Sequence, residues 1–208
     1  IKITIVGVGA VCSWLTLLLA KLCVKDITVY DFDVVEMGNI PAQIYRVIDT
    51  VTASGNEISK CESLSNIIKE FSDVEIKIKN IKIDEKTVIE PSLNEIFILC
   101  LDSFESRKIV YNKLRDYPCK IIDTRMGGEE FSIYVLDCDD KKRCRIYEKQ
   151  FDKKPSTLKC GERSIVYTVT SIASEVCNLV KKINNGEEYP TIIKRNMKRY
   201  LILNNLDK

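Results

Sequence analysis

A short β-branched run, residues 1–6, ends in Gly7-Val8-Gly9 and passes at once into apolar residues at helical spacing. Trp14, Leu15, Leu18, Leu19 and Leu22 recur at intervals of three and four, which predicts an amphipathic helix. Residues 26–31 form a second run of β-branched and aromatic residues that closes on Asp31. Strand, glycine turn, helix and strand within about thirty residues make a βαβ unit, whose crossover leaves the two strands parallel. Gly7 and Gly9 allow a tight bend and a close approach of backbone to phosphate, and the helix that follows offers free amides and the positive end of its dipole. Asp31 lies 22 residues after Gly9, where a carboxylate hydrogen-bonds ribose hydroxyls. Cys12 takes the place of the third glycine of the dinucleotide fingerprint. The pattern implies a bound nucleotide without separating NAD from ATP.

The same alternation continues. Residues 56–71 read as a helix, 74–81 as a strand, and 94–101 as a nearly unbroken apolar run expected of a central strand covered on both faces. A helix is expected over 105–117, then strands over 120–124 and 131–136 on either side of Gly127-Gly128. Residues 139–145 read as a charged loop and 150–159 as a polar, Pro-containing one. Residues 164–183 form a long helix with Val169, Ile172, Ala173, Val176, Val180 and Ile183 on one face, and 192–203 a strand or packed arm. The expectation is an α/β, Rossmann-like, largely parallel sheet with helices on both faces, extended by antiparallel strands. It forms a single domain over 1–208, with a nucleotide-binding half, 1–125, and a second half, 126–208.

Charge excludes more than it assigns. The 32 basic and 30 acidic residues are interspersed, so neither nucleic acid nor an acidic membrane is an expected partner. The apolar stretch 11–22 is too short to span a bilayer. Nine cysteines, no Cys-x-x-Cys pair and no His argue against zinc and against a disulfide framework. Most of the thiols are expected to be reduced packing residues in a cytoplasmic protein. Without His, any chemistry must use carboxylates, Lys, Arg, a thiolate or the backbone.

Three further segments carry a family resemblance. YDFDVVEMGNIPAQ, residues 30–43, resembles the DFDxVExSNLNRQ segment of the ThiF/MoeB/HesA family, which includes the adenylation domains of ubiquitin-activating enzymes. LDSFESR, residues 101–107, resembles that family's DCTDNFESR segment, and Ser59-Lys60 sits where the family places a Lys at a helix start. The resemblance implies ATP-dependent adenylation of the C-terminal carboxylate of a ubiquitin-like or sulfur-carrier protein, with release of pyrophosphate. By the same resemblance Asp31 binds the ATP ribose, Asn39 and Gln43 line the phosphate pocket, Lys60 neutralises phosphate, and Asp102 holds Mg²⁺. It also implies a carrier whose C-terminus ends in glycine, and a homodimer. A carboxylate nucleophile is already ionised at neutral pH, so catalysis can be positioning plus cation stabilisation. Cys160, flanked by Lys159 and Arg163 just before the long helix, matches a position that can accept the activated carrier.

Each residue also has a structural reading. Asp31 and Asp33 would end a strand and cap a turn; Lys60 would be a solvated lysine; Asn39 would be a turn residue; Asp102 would cap the helix that follows. Arg125 would bind phosphate or a substrate tail, or form an internal ion pair. Ala42 replaces an Arg of the resembled motif, and Arg46, four residues on, is the candidate substitute. A weakened partner subunit and an NAD-dependent oxidoreductase are the alternative functions.

Overall fold

The computed structural model describes residues 1–151 and 165–205. Its elements run β1 (Lys2–Val6), α1 (Ala10–Lys21), β2 (Asp26–Tyr30), α2 (Lys60–Phe71), β3 (Lys77–Lys79), β4 (Ile96–Leu99) and α3 (Phe104–Leu114). They continue with β5 (Lys120–Gly127), β6 (Glu130–Asp137), α4 (Lys141–Glu148), α5 (Val166–Asn184), β7 (Ile192–Asn196) and β8 (Leu201–Asn205). The strands form one sheet in the order β3-β2-β1-β4-β5-β6-β7-β8. Pairing is parallel from β3 to β5 and antiparallel from β5 to β8, the α/β arrangement expected from the sequence.

Alternate strand residues sort to opposite faces. Ile3 and Ile5 of β1, Ile96 and Ile98 of β4, and Ile133 and Val135 of β6 share a core with α1, α2 and α5. Phe97 and Leu99 of β4 and Tyr134 and Leu136 of β6 pack on the other face with α3 and Tyr147 of α4. Helices thus cover both faces. No helix among the described residues is long and apolar enough to cross a membrane.

Local chemistry shifts several boundaries. Residues 56–59 are not helical, because Ser59 caps α2, its Oγ accepting from the Glu62 amide at 3.1 Å. The charged stretch expected to be a loop contains α4: Asp140 accepts from the amides of Lys142 and Arg143, and the helix buries Cys144 and Tyr147. The tail forms the antiparallel pair β7–β8. Six cysteines among the described residues are free, and one pair is not. Cys12 and Cys100, 88 residues apart, form a disulfide, because the parallel β1–β4 pairing sets the first turn of α1 against the end of β4.

Gly7 governs that junction. Its φ is +87°, and a Cβ there would lie 2.8 Å from the Cys100 carbonyl oxygen. Gly7→Ala therefore combines left-handed strain with a backbone clash, and we expect it to lower the unfolding free energy by at least about 2 kcal/mol. Urea denaturation measures this; an unchanged midpoint at unchanged slope would contradict the packing described.

Candidate functional site

The C-terminal ends of β1, β2, β4 and β5 open into a cavity of about 1570 Å³ that reaches across to Lys194 and Leu203 on the antiparallel side. Val8, between the two glycines, is held from both directions. Its amide donates to Asp31 Oδ2 at 2.7 Å, and its carbonyl accepts from the Tyr45 hydroxyl at 2.8 Å. Burial, reinforced by the charge of Asp31, raises the Tyr45 pKa well above its usual value, so the hydroxyl stays a donor. Gly9 precedes α1 and provides no side-chain cap, and a Cβ on it would meet no atom within 4 Å. The amides of Ala10 and Val11, which line the same cavity, have no acceptor among the described residues. An open cradle with orphan helix amides suits a phosphate group.

Asp31 is buried, lines the cavity and accepts a second bond from the Asp33 amide at 2.9 Å. Lys60 is not a solvated lysine: it is buried at the start of α2, with Nζ 2.8 Å from Asp33 Oδ2, and it borders the cavity. A smaller space of about 380 Å³ lies beside it, bounded by Asn39 and Glu36. Asn39 has the turn role as well, its Oδ1 accepting from the Glu36 amide at 3.0 Å.

Asp102 does not cap α3. Ser103 does, accepting from the Ser106 amide at 3.1 Å. The Asp102 carboxylate is exposed at the cavity edge and makes no hydrogen bond or ion pair with the described residues. No group of three or more carboxylate or thiol side chains that could hold a metal occurs among the described residues. One free carboxylate still fits Mg²⁺, which keeps several waters and takes its remaining oxygens from phosphates.

Two residues expected at the site are not brought there. Arg46 forms a double hydrogen bond to Glu70 at 2.7 and 2.8 Å and is also paired with Asp49, so its charge is already matched away from the cavity. The Gln43 side chain is not part of the cavity wall. Ala42 is buried, with its carbonyl bound by Trp14 Nε1 at 3.0 Å, and places nothing in the cavity. Cys160 lies outside the described residues.

The internal ion pair expected as one reading of Arg125 is part of a larger cluster at the end of β5. Asp123 is fully buried and accepts from Arg107, from Arg125 Nε at 2.8 Å and from the Tyr147 hydroxyl at 2.9 Å. Arg107 also donates to the Leu101 carbonyl. Burial pulls Arg107 down to about 10, which leaves it charged at neutral pH, and burial raises Tyr147, which keeps its hydroxyl protonated. The Arg125 guanidinium lies over the rings of Phe104, Tyr134 and Tyr147 at 4.8, 4.5 and 5.3 Å. Its Nη2 is buried without a hydrogen-bond partner among the described residues. Two guanidinium groups thus share the Asp123 carboxylate, Asp102 also acts on Arg107 through its charge, and Arg125 borders the cavity. Arg107 closes the LDSFESR segment, but no local motif links it to Asp123 and Tyr147, which come from two other elements.

A family model described as ThiF family matches residues 1–206. The chain belongs to the ThiF family. Among solved structures, the ThiF-family chain is similar to E. coli MccB with ATP, at 15% identity and a TM-score of 0.72, and to E. coli MccB with AMPCPP and MccA, at 14% and 0.74. It is also similar to selenomethionyl PaaA, at 14% and 0.70. In each case 99% of this chain is covered, against 63% of the other, so the chain spans less than two thirds of their length. A comparison with curated protein sequences gives no significant match.

Removing Asp123 strands two cations, one of them buried. Asp123→Ala should cost about 3 kcal/mol or more in chemical denaturation. Asp73→Ala, which breaks an exposed pair with Lys25, should leave the midpoint unchanged. Equal effects of the two would contradict the structural role given to Asp123.

Proposed function

We propose that this chain adenylates the C-terminal carboxylate of a peptide or small carrier protein, using ATP and releasing pyrophosphate. The observation that carries the reading is the free carboxylate of Asp102, facing the same cavity as the open glycine cradle. Membership of the ThiF family and the likeness to MccB solved with ATP and with MccA support it. The cavity exceeds the roughly 300–1,000 Å³ of an ordinary small-molecule site and extends toward β7 and β8, giving room for an extended tail beside a nucleotide.

In this reading Asp31 fixes the turn and receives the ribose, while the α1 amides and Lys60 face phosphate. Mg²⁺ held through Asp102 would supply further neutralisation of phosphate charge. The substrate carboxylate attacks the α-phosphorus, its oxygen forms the new bond, and the bond to the departing pyrophosphate breaks. An ionised nucleophile needs no general base, which suits a chain without His. Arg125 is the cation we place opposite the charge that develops, in the role Ala42 cannot fill.

Calorimetric titration with MgATP, adenosine and NADH tests these roles. Asp102→Ala should weaken MgATP by about tenfold or more and leave adenosine unaffected. Arg125→Gln, if folded, should weaken MgATP by about tenfold to a hundredfold, the worth of a charge-assisted hydrogen bond. Tighter binding of NADH than of MgATP would overturn the adenylation reading in favour of hydride transfer.

A further inference from the structure

The only disulfide among the described residues lies in the wall of the nucleotide cavity. Six other cysteines there are free, including Cys119 and Cys138, whose sulfurs are 3.7 Å apart in the core on the far side of the sheet. Cys12 is fully buried in the first turn of α1, the turn whose amides face the cavity. Cys100 borders the cavity. Its amide donates to the Val6 carbonyl at 2.9 Å, its carbonyl lies against Gly7, and it stands two residues before Asp102. One covalent link therefore ties the phosphate-facing helix turn to the strand that ends at the proposed cation ligand.

We propose that Cys12 and Cys100 form a reversible redox site that sets the nucleotide affinity of the cavity, the oxidised pair binding MgATP more tightly than the dithiol. The inference rests on the nucleotide reading above. Cys100 lines the cavity while Cys12 is fully buried, so an incoming thiolate attacks Cys100 Sγ, forming a mixed disulfide and expelling the Cys12 sulfur as a thiolate that takes up a proton. A second thiolate of the reductant resolves the mixed disulfide and leaves Cys100 as the other thiol. Two electrons pass from a dithiol to the protein, and a peroxide or an oxidised dithiol reverses the change. Once the bond is cut, the two sulfurs require a non-bonded contact of the kind Cys119 and Cys138 make. The first turn of α1 and the end of β4 are then free to part, and the phosphate cradle loses its preorganisation. Linkage is reciprocal, so nucleotide must protect the disulfide by the same factor by which the disulfide favours nucleotide.

The test is MgATP calorimetry on the full chain in two verified states, oxidised and reduced with dithiothreitol, beside Cys12→Ser, Cys100→Ser and the control Cys119→Ser. Alkylation and peptide mapping before and after reduction assign the pair, and thermal melts confirm that each variant is folded. The oxidised protein should bind MgATP about tenfold more tightly than the reduced one. Saturating MgATP should then lower the midpoint potential of the pair by about 30 mV, the equivalent of tenfold for a two-electron couple. Both site variants should match the reduced protein and ignore dithiothreitol, while Cys119→Ser keeps the response. Equal MgATP affinity in the two states, or no bond between Cys12 and Cys100 on mapping, would overturn the redox site and leave the nucleotide reading standing. Binding of MgATP to neither state would overturn both.

Discussion

A side chain at Gly7 would collide with the carbonyl of Cys100, so β1 can pass into α1 only through a residue that has none. The close approach of that turn to the end of β4 arranges everything else at this edge of the sheet. It brings the first turn of α1 beside Asp102, and it lets Cys12 reach Cys100. Val8 is locked above the turn by Asp31 on one side and Tyr45 on the other. The carboxylate assigned to the ribose thus has a second task in shaping the phosphate cradle.

Charge is distributed unevenly around the cavity, and the imbalance is informative. Lys60 is matched by Asp33, and Arg46 by Asp49 and Glu70. Asp102 makes no hydrogen bond or ion pair with the described residues, and Arg125 shares its counter-ion with Arg107. Burying two guanidinium groups around one carboxylate is costly unless an anion completes the set. The exposed Asp102 carboxylate at the cavity edge is open to a cation. Bound Mg²⁺ and phosphate oxygens would satisfy both requirements together.

The first hundred residues were legible because their chemistry is local. The β1–glycine–α1–β2 unit is written in spacing, Asp31 falls at the end of its second strand, and Asp102 follows an unbroken apolar run and was singled out by the family resemblance. What escaped depends on pairing between distant segments. Asp123 acquires meaning only when α3, β5 and α4 converge, and α4 itself was hidden because its charged residues mask the burial of Cys144 and Tyr147. The choice of Ser103 over Asp102 as the α3 cap turns on one residue of phase, which composition does not resolve. Arg46 was assigned by proximity in sequence, and two acidic neighbours claimed it. The disulfide joins positions 88 residues apart and follows from the β1–β4 register.

The claim on which the account stands is that one cavity reads ribose at Asp31, phosphate at the α1 amides and a divalent cation at Asp102. A crystal structure of the oxidised protein grown with Mg²⁺ and ATP tests it most directly. Ribose hydroxyls should lie on the Asp31 carboxylate, phosphate oxygens against the amides of Ala10 and Val11, and a metal ion on Asp102. A nucleotide seated elsewhere, or in this cavity with its phosphates directed away from α1, would contradict it.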